Sequence, residues 1–301
     1  MSAKLDYLPA DQSFLDPVRA DAADPASARA VVIPFGLEAS VSYGGGTAAG
    51  PQAIIAASQQ LELYDDELGC EPYRGYGVAA IREPAIARPI GPALDQLAGT
   101  VETVLAAGKF PLVLGGEHSL TAGAIRPFAD RHKDLVVLQF DAHADLRDGY
   151  QGEHFSHAAA MRRVLDHPGV TLVSVGIRAI STPEVHFYDA NRDRITIHWA
   201  KDQARWDTDE IVKSLAGQPV YVTFDIDALD AAVMPATGTP TPGGLAYWQA
   251  LAILRRACEV GNVVGADLVE FAPIKGFHAY DYAAAALAYK MLSYALADER
   301  S

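Results

Sequence analysis

Cysteine is scarce: Cys70 and Cys258 are the two thiols among 301 residues. Far apart, they fit neither a zinc-ligand spacing nor a disulfide framework, and they read as ordinary small residues of a reducing compartment. Long apolar runs are missing as well. No stretch approaches the ~18 residues of a membrane span. The opening "MSAKLDYLPADQSF" has no basic segment followed by an apolar one, so it does not read as a signal peptide. Positive charge is also thin, with 24 Lys and Arg against 38 Asp and Glu and a formal net charge of −14. No basic run could track phosphates, which argues against a nucleic-acid partner. The acidic balance would steer a cationic ligand instead. The expectation is a cytoplasmic protein without nucleic-acid or membrane partners.

What the chain has is core-forming material, 50% of it hydrophobic. Residues 1–27 are polar, with prolines at 9, 17 and 25, and read as an N-terminal arm. From 28 to 301, apolar β-branched runs alternate with Ala- and Leu-rich stretches. Candidate strands are 28–35, 76–81, 110–115, 135–140, 170–176, 194–200, 219–225 and 263–270. Candidate helices are 94–108, 157–166, 208–217, 248–261 and 281–297. Continuously apolar strands separated by helices imply a parallel sheet covered on both faces. The expectation is one three-layer α/β/α domain, with ligands bound beyond the C-terminal strand ends.

Three strand ends carry chemistry. "QFDAHADLRD" (139–148) puts Asp141, His143 and Asp145 on alternate positions after an apolar run. In an extended backbone such positions share one face, so the three groups would converge. Crowded carboxylates need a cation, or they repel and lose hydration. "FPLVLGGEHSL" ends on His118, and "VYVTFDIDALD" on Asp225 and Asp227. Singly, each reads as a polar loop. Together, two His and four Asp at the ends of one sheet form an oxygen-rich ligand set that suits Mn²⁺. Four ionised carboxylates would be cancelled by two divalent ions. Six ligands suffice for two ions only if some carboxylates bridge, at the ~3.5–4 Å separation of two-metal hydrolases.

These motifs, with "GTPTPGG" (238–244) and "DLVEFAP" (267–273), resemble the ureohydrolases, the arginase–agmatinase family. The resemblance runs from "PFGLEASVSYGGGTAAGPQAI" (34–54) to residue 273. It implies an eight-stranded parallel sheet and two Mn²⁺ bridged by hydroxide, with Ni²⁺ or Co²⁺ as alternative metals. One ion would take His118, Asp141, Asp145 and Asp225, and the other Asp141, His143, Asp225 and Asp227. It further implies a homo-oligomer, trimeric or hexameric. "SHAAAMRR" is similar to the agmatinase loop whose histidine shuttles protons, which falls on His157. The plainer reading of His157 is a helix-start residue beside a Ser156 cap, and His154 is a rival for the shuttle. Glu270 matches the guanidinium-binding glutamate. Asp145 would orient the nucleophile while ligating. Ala231, Ala236 and Ala272 depart from the family pattern without touching these positions. The Gly-rich "SYGGGTAAGP" lacks the Gly-Lys-Ser/Thr ending of a phosphate loop and reads as the entry to a helix, with Pro51 in its first turn.

Arginases carry acids after a Gly-x-Arg stretch; here "GIRAISTPE" puts Ala179 and Ser181 there. The expected substrate is therefore a small cationic guanidine, agmatine first, cleaved to urea and putrescine. Guanidinobutyrate, aminopropylagmatine and free guanidine are the near alternatives. A one-zinc deacetylase of related fold and a non-catalytic metal-stabilised subunit are more distant ones.

Overall fold

The computed structural model describes residues 5–19 and 24–297. Eight parallel strands form one sheet: β1 Ala30–Phe35, β2 Val78–Ala80, β3 Phe110–Gly115, β4 Val136–Phe140, β5 Thr171–Ile177, β6 Ile195–Trp199, β7 Pro219–Asp225 and β8 Asn262–Val269. Every one lies on an expected strand segment. Their order across the sheet is β2-β1-β3-β8-β7-β4-β5-β6. The chain thus lays down both flanks first and then returns to fill the centre. That return puts β3, β8, β7 and β4 side by side, and these four strand ends carry the candidate residues.

Both faces of the sheet are buried, which is why the strands read as unbroken apolar runs. Along β1, Ala30 and Val32 face one core, while Val31, Ile33 and Phe35 face the other. Helices Gly50–Ser58, Tyr247–Val260 and His278–Leu296 cover the first face. Helix Ile90–Ala106 and the shorter pieces Thr121–Ala124, Arg126–Arg131 and Ala160–Val164 cover the second.

Four details differ from the sequence expectation. Helix 157–166 opens as a 3₁₀ turn, His157–Ala159, before Ala160–Val164. Helix 208–217 tightens to 3₁₀ after Val212. Thr182–Ala190 is a helix that the apolar period did not announce, because little of its surface is buried. Lastly, the polar N-terminal stretch puts Phe14 and Leu15 fully into the core. It is tied there by Ser13 Oγ, which accepts the Ala80 amide, and by the Leu15 amide donating to Ser58 Oγ.

Candidate metal centre and active site

All six predicted ligands meet, from three of the four central strand ends. His118 opens the turn after β3, Asp141 and His143 follow β4, and Asp225 ends β7. Asp141, Asp145, Asp225 and Asp227 are buried. Two groups have ligand atoms within 4.8 Å of one another: His118 with Asp141 and Asp145, and Asp141 with His143 and Asp227. Asp141 belongs to both, as a bridging carboxylate must. Asp225 joins through His118, its Oδ2 lying 3.4 Å from Nδ1.

The convergence is not achieved by extended alternation, as the sequence pattern suggested. β4 stops at Phe140, and Asp145 has φ 51°. Asp227 lies in a 3₁₀ turn. Glu270 likewise has φ 62° just past β8. Left-handed backbone costs a non-glycine residue roughly 1–2 kcal/mol and recurs at functional sites. The turns swing carboxylates inward that a straight strand would send past the cavity.

Donor accounting at His118 tests the site for a cation. Its Nε2 lies 2.8 Å from Thr223 Oγ1, while Nδ1 faces carboxylate oxygens of Asp141 and Asp145 at 3.1 and 3.2 Å. Buried Nδ1 has no hydrogen bond of acceptable geometry. With Nε2–H donated to Thr223, a bare Nδ1 lone pair would point at three anionic groups. A positive charge between them makes that arrangement favourable, supplied either by a proton on Nδ1 or by a metal ion that Nδ1 and the carboxylates ligate together, so the residues fit a metal site.

The charges show the same strain. Burial alone would push His118 down, yet Asp141, Asp145 and Asp225 raise it well above the ordinary histidine value. His143 is pushed up to about 12 by Asp227 and Asp141, against its burial. Burial and then Asp141 push the Asp145 carboxyl up to about 6. Burial, Asp227 and Asp141 raise Asp225 well above the carboxylate range. Burial and mutual repulsion disfavour the ionised forms of Asp145 and Asp225, while His118 and His143 hold the Asp141 carboxyl low against its burial; a cation among them would favour all three carboxylates.

Neighbours that the sequence reading missed hold the cage. Gln139 Nε2 donates to Asp141 Oδ2 at 2.8 Å and to the His143 carbonyl at 3.1 Å. Arg178 donates to the carbonyls of Asp227 and Thr241, both at 2.7 Å, and of Gly176 at 3.0 Å. It thereby clamps the Asp225–Asp227 turn to the end of β5. The bonds of Gln139 lie within its own segment, where a polar residue in the apolar run was their signal; those of Arg178 to Asp227 and Thr241 join distant segments and have no local signature.

A cavity of about 240 Å³ opens beside the cage, lined by His143, Asp145, Asp225 and Asp227 together with His157 and Glu270. Glu270 Oε1 accepts the His118 amide at 2.7 Å. Burial pushes its carboxyl up to about 8, and a cation entering the cavity would favour its ionised form. His157 lies between Ser40 and Ser42, and burial with the nearby His118 charge pushes it down to about 4. No Ser156 side-chain cap forms at this turn; the Ser156 carbonyl takes the Ala159 amide instead. His154 is turned elsewhere. Its Nδ1 lies 2.6 Å from the Arg163 guanidinium, which can only donate, and it is absent from the cavity wall.

Ala179, Ser181, Glu184 and Arg147 also line the cavity. Glu184 is buried and accepts the amides of Leu146 and Ser181 at 3.0 and 2.8 Å, and the Ser181 hydroxyl at 2.5 Å. The signal for it was present in "STPE", a Ser-x-x-Glu helix start.

Comparison with known proteins agrees with this geometry. The Arginase family matches residues 28–294. The chain belongs to the arginase family. It is 37% identical over 283 residues to the N(1)-aminopropylagmatine ureohydrolase of Synechocystis, covering 89% of this chain and 90% of that one. It is 35% identical over 255 residues to the agmatinase of Bacillus subtilis, covering 82% and 84%. The agmatine ureohydrolase of Thermoplasma volcanium superposes with a TM-score of 0.81 at 29% identity, over 98% of this chain and 95% of that one. The protein is therefore a ureohydrolase, a hydrolase of amidino C–N bonds with the single eight-stranded α/β domain of its family. No helix among the described residues is long and apolar enough to cross a membrane.

Proposed function

We propose that this ureohydrolase cleaves agmatine to urea and putrescine, using two Mn²⁺ held by His118, Asp141, His143, Asp145, Asp225 and Asp227. The observation that carries the substrate choice is the cavity wall formed by Ala179, Ser181 and Glu184. Ala179 and Ser181 offer no carboxylate there, and the one buried acid, Glu184, is committed to Leu146 and Ser181. Arginine and agmatine would both bring an ammonium to this wall, and only arginine adds an α-carboxylate beside it. A wall without the arginase acids fits the substrate that does not present the paired ammonium and carboxylate of an amino acid.

Two divalent ions would lower the pKa of the attacking water from about 15.7 to about 7, worth on the order of 10 kcal/mol. Asp145, swung inward by its left-handed backbone, would orient that water. Glu270, fixed by the His118 amide, would ionise as the guanidinium arrives and hold it by charge-assisted hydrogen bonds. Neutral His157 would take one proton of the water and return it to the departing amine, since an amide anion cannot leave. Both water hydrogens end on the amine and the oxygen becomes the urea carbonyl.

A second reading rests on Arg147. It lines the cavity with its Nε 3.7 Å from Glu184 and its guanidinium over the Tyr150 ring at 5.0 Å. A cation there favours an acidic guanidine such as guanidinobutyrate. Urea release across agmatine, N1-aminopropylagmatine, guanidinobutyrate and arginine decides between them. With Arg147 held by Glu184 and Tyr150, we expect kcat/KM for agmatine to exceed that for arginine by ~10³ or more, because burying an unpaired carboxylate costs several kcal/mol and each 1.36 kcal/mol is about tenfold. Preference for guanidinobutyrate, lost in Arg147→Ala, would overturn the agmatine assignment and keep the chemistry.

A further inference from the structure

Both ring nitrogens of His157 meet hydroxyls: Ser40 Oγ lies 3.0 Å from Nδ1, and Ser42 Oγ 2.8 Å from Nε2. The two contacts are not equivalent. Ser40 Oγ is also 2.8 Å from Glu117 Oε1, and it accepts the His157 backbone amide at 2.9 Å. Glu117 is fully buried. Its Oε2 accepts the Ala39 and Ser40 amides, both at 2.5 Å, and its Oε1 also accepts the Ser119 hydroxyl at 2.5 Å. Four donors, two backbone amides and two hydroxyls, thus converge on its two oxygens, the surroundings of a carboxylate that only accepts.

Donor counting orients the chain of bonds. An ionised carboxylate only accepts, and a serine hydroxyl has one proton and two lone pairs. Ser40 therefore gives its proton to Glu117, and its lone pairs accept from the His157 amide and from Nδ1–H. Nε2 is left without a proton on the open side, where its lone pair can accept from the exposed Ser42 hydroxyl or from a water that replaces it. The opposite tautomer would need a hydroxyl donor to Nδ1. If Ser40 donated, Glu117 Oε1 and Ser40 Oγ would sit at hydrogen-bond distance with no proton between them. If Ser156 Oγ donated, from 3.4 Å, the lone pairs of Ser40 Oγ and Nδ1 would face each other at 3.0 Å.

We propose that Glu117 and Ser40 form a carboxylate–hydroxyl–imidazole relay that fixes His157 as its Nδ1–H tautomer and presents a bare Nε2 to the cavity. This rests on the proton-transfer role of His157 proposed above. Nε2 takes a proton from the attacking water and gives it to the leaving nitrogen. Nδ1–H, Ser40 and Glu117 exchange no proton in that cycle. Both partners are positioning residues: without them imidazole reverts to its solution preference for Nε2–H, and the working nitrogen is blocked. Sequence gives no hint of the link, because Ser40 and His157 are 117 positions apart.

The test uses ¹⁵N-histidine-labelled protein loaded with diamagnetic Zn²⁺, with the His157 ring assigned by comparison with His157→Gln. In the wild type, Nδ1 should show a protonated and Nε2 an unprotonated ¹⁵N shift. Ser40→Ala should move the proton to Nε2, and Ser40→Thr, which keeps the hydroxyl, should restore the pattern. With Mn²⁺, Ser40→Ala should lower kcat by about 10–100-fold, the usual cost of losing the partner that orients a functional imidazole. KM, metal content and melting temperature should stay near wild type, and Ser40→Thr should recover most of kcat. An Nε2–H tautomer in the wild type, or an unchanged tautomer in Ser40→Ala, overturns the relay even if His157→Ala is inactive. Normal turnover by His157→Ala instead removes the proton-transfer reading, and the relay's purpose with it.

Discussion

The protein gathers carboxylates in two places and treats them in opposite ways. Against the last helix, Lys290 Nζ lies 2.9 Å from Asp65 and 2.8 Å from Glu67. Arg255 reaches Glu67 at 3.4 Å, and the Tyr294 hydroxyl donates to it. Although burial would raise it, the Glu67 carboxyl is held below its ordinary value, by Lys290 foremost. That cluster is closed by the chain's own cations. At the central strand ends, four Asp share two imidazoles, and Arg178 directs its N–H groups to backbone carbonyls instead. There the carboxyls of Asp145 and Asp225 rise. One acidic cluster fastens the fold; the other is left short of positive charge, as a cation-binding cage must be.

Metal removal should separate the two regions most sharply. Chelation should abolish urea release and lower the melting temperature, since a ligand at a thousandfold above its Kd stabilises by about 4 kcal/mol. Mn²⁺ should restore both, and Asp227→Ala should lose metal and activity together. Full turnover after exhaustive chelation, with metal analysis confirming removal, would refute the two-metal reading.

The next effect lies within the active site. His157→Ala should keep its metals and lose ~10²–10⁴ in kcat, the range for a missing acid–base group. His154→Ala should turn over at close to the wild-type rate. The reverse result would transfer the shuttle to His154.

Lys290→Met probes the other cluster. It should leave metal content and turnover intact and lower urea-unfolding stability by about 1.5–3 kcal/mol, toward the lower end because Glu67 is partly solvated. Its pH dependence has a definite sign. Glu67 titrates lower in the folded state than in the unfolded chain, where a glutamate pKa is about 4.3. Its contribution is therefore complete above that value and is lost as pH falls through the depressed folded one. The wild type should lose this increment on acidification and Lys290→Met should not; parallel acid limbs would dissolve the contrast between the clusters. The smallest effect belongs to Arg256→Ala, whose exposed pair with Asp209 should leave the melting temperature unchanged.

The sequence by itself determined the strands and the kind of chemistry at their ends. A strand buried on both faces must be apolar throughout, so β4 and β7 announced themselves in "LVVLQF" and "PVYVTFD". Asp141, His143 and Asp145 were legible because close spacing on one segment guarantees closeness in space. Helix Thr182–Ala190 escaped because apolar period was the guide, while its start signal lay in Ser181 and Glu184. Only the tertiary structure decided the order that brings β8 and β7 between β3 and β4, and with it the meeting of His118, Asp225 and Glu270. It also decided the left-handed turns at Asp145 and Glu270, the burial of Phe14 and Leu15, and the Glu117–Ser40–His157 bonds. Each of these depends on contacts between segments distant in sequence. A period of two or 3.6 residues records which face of an element is buried, but not which other element it is buried against.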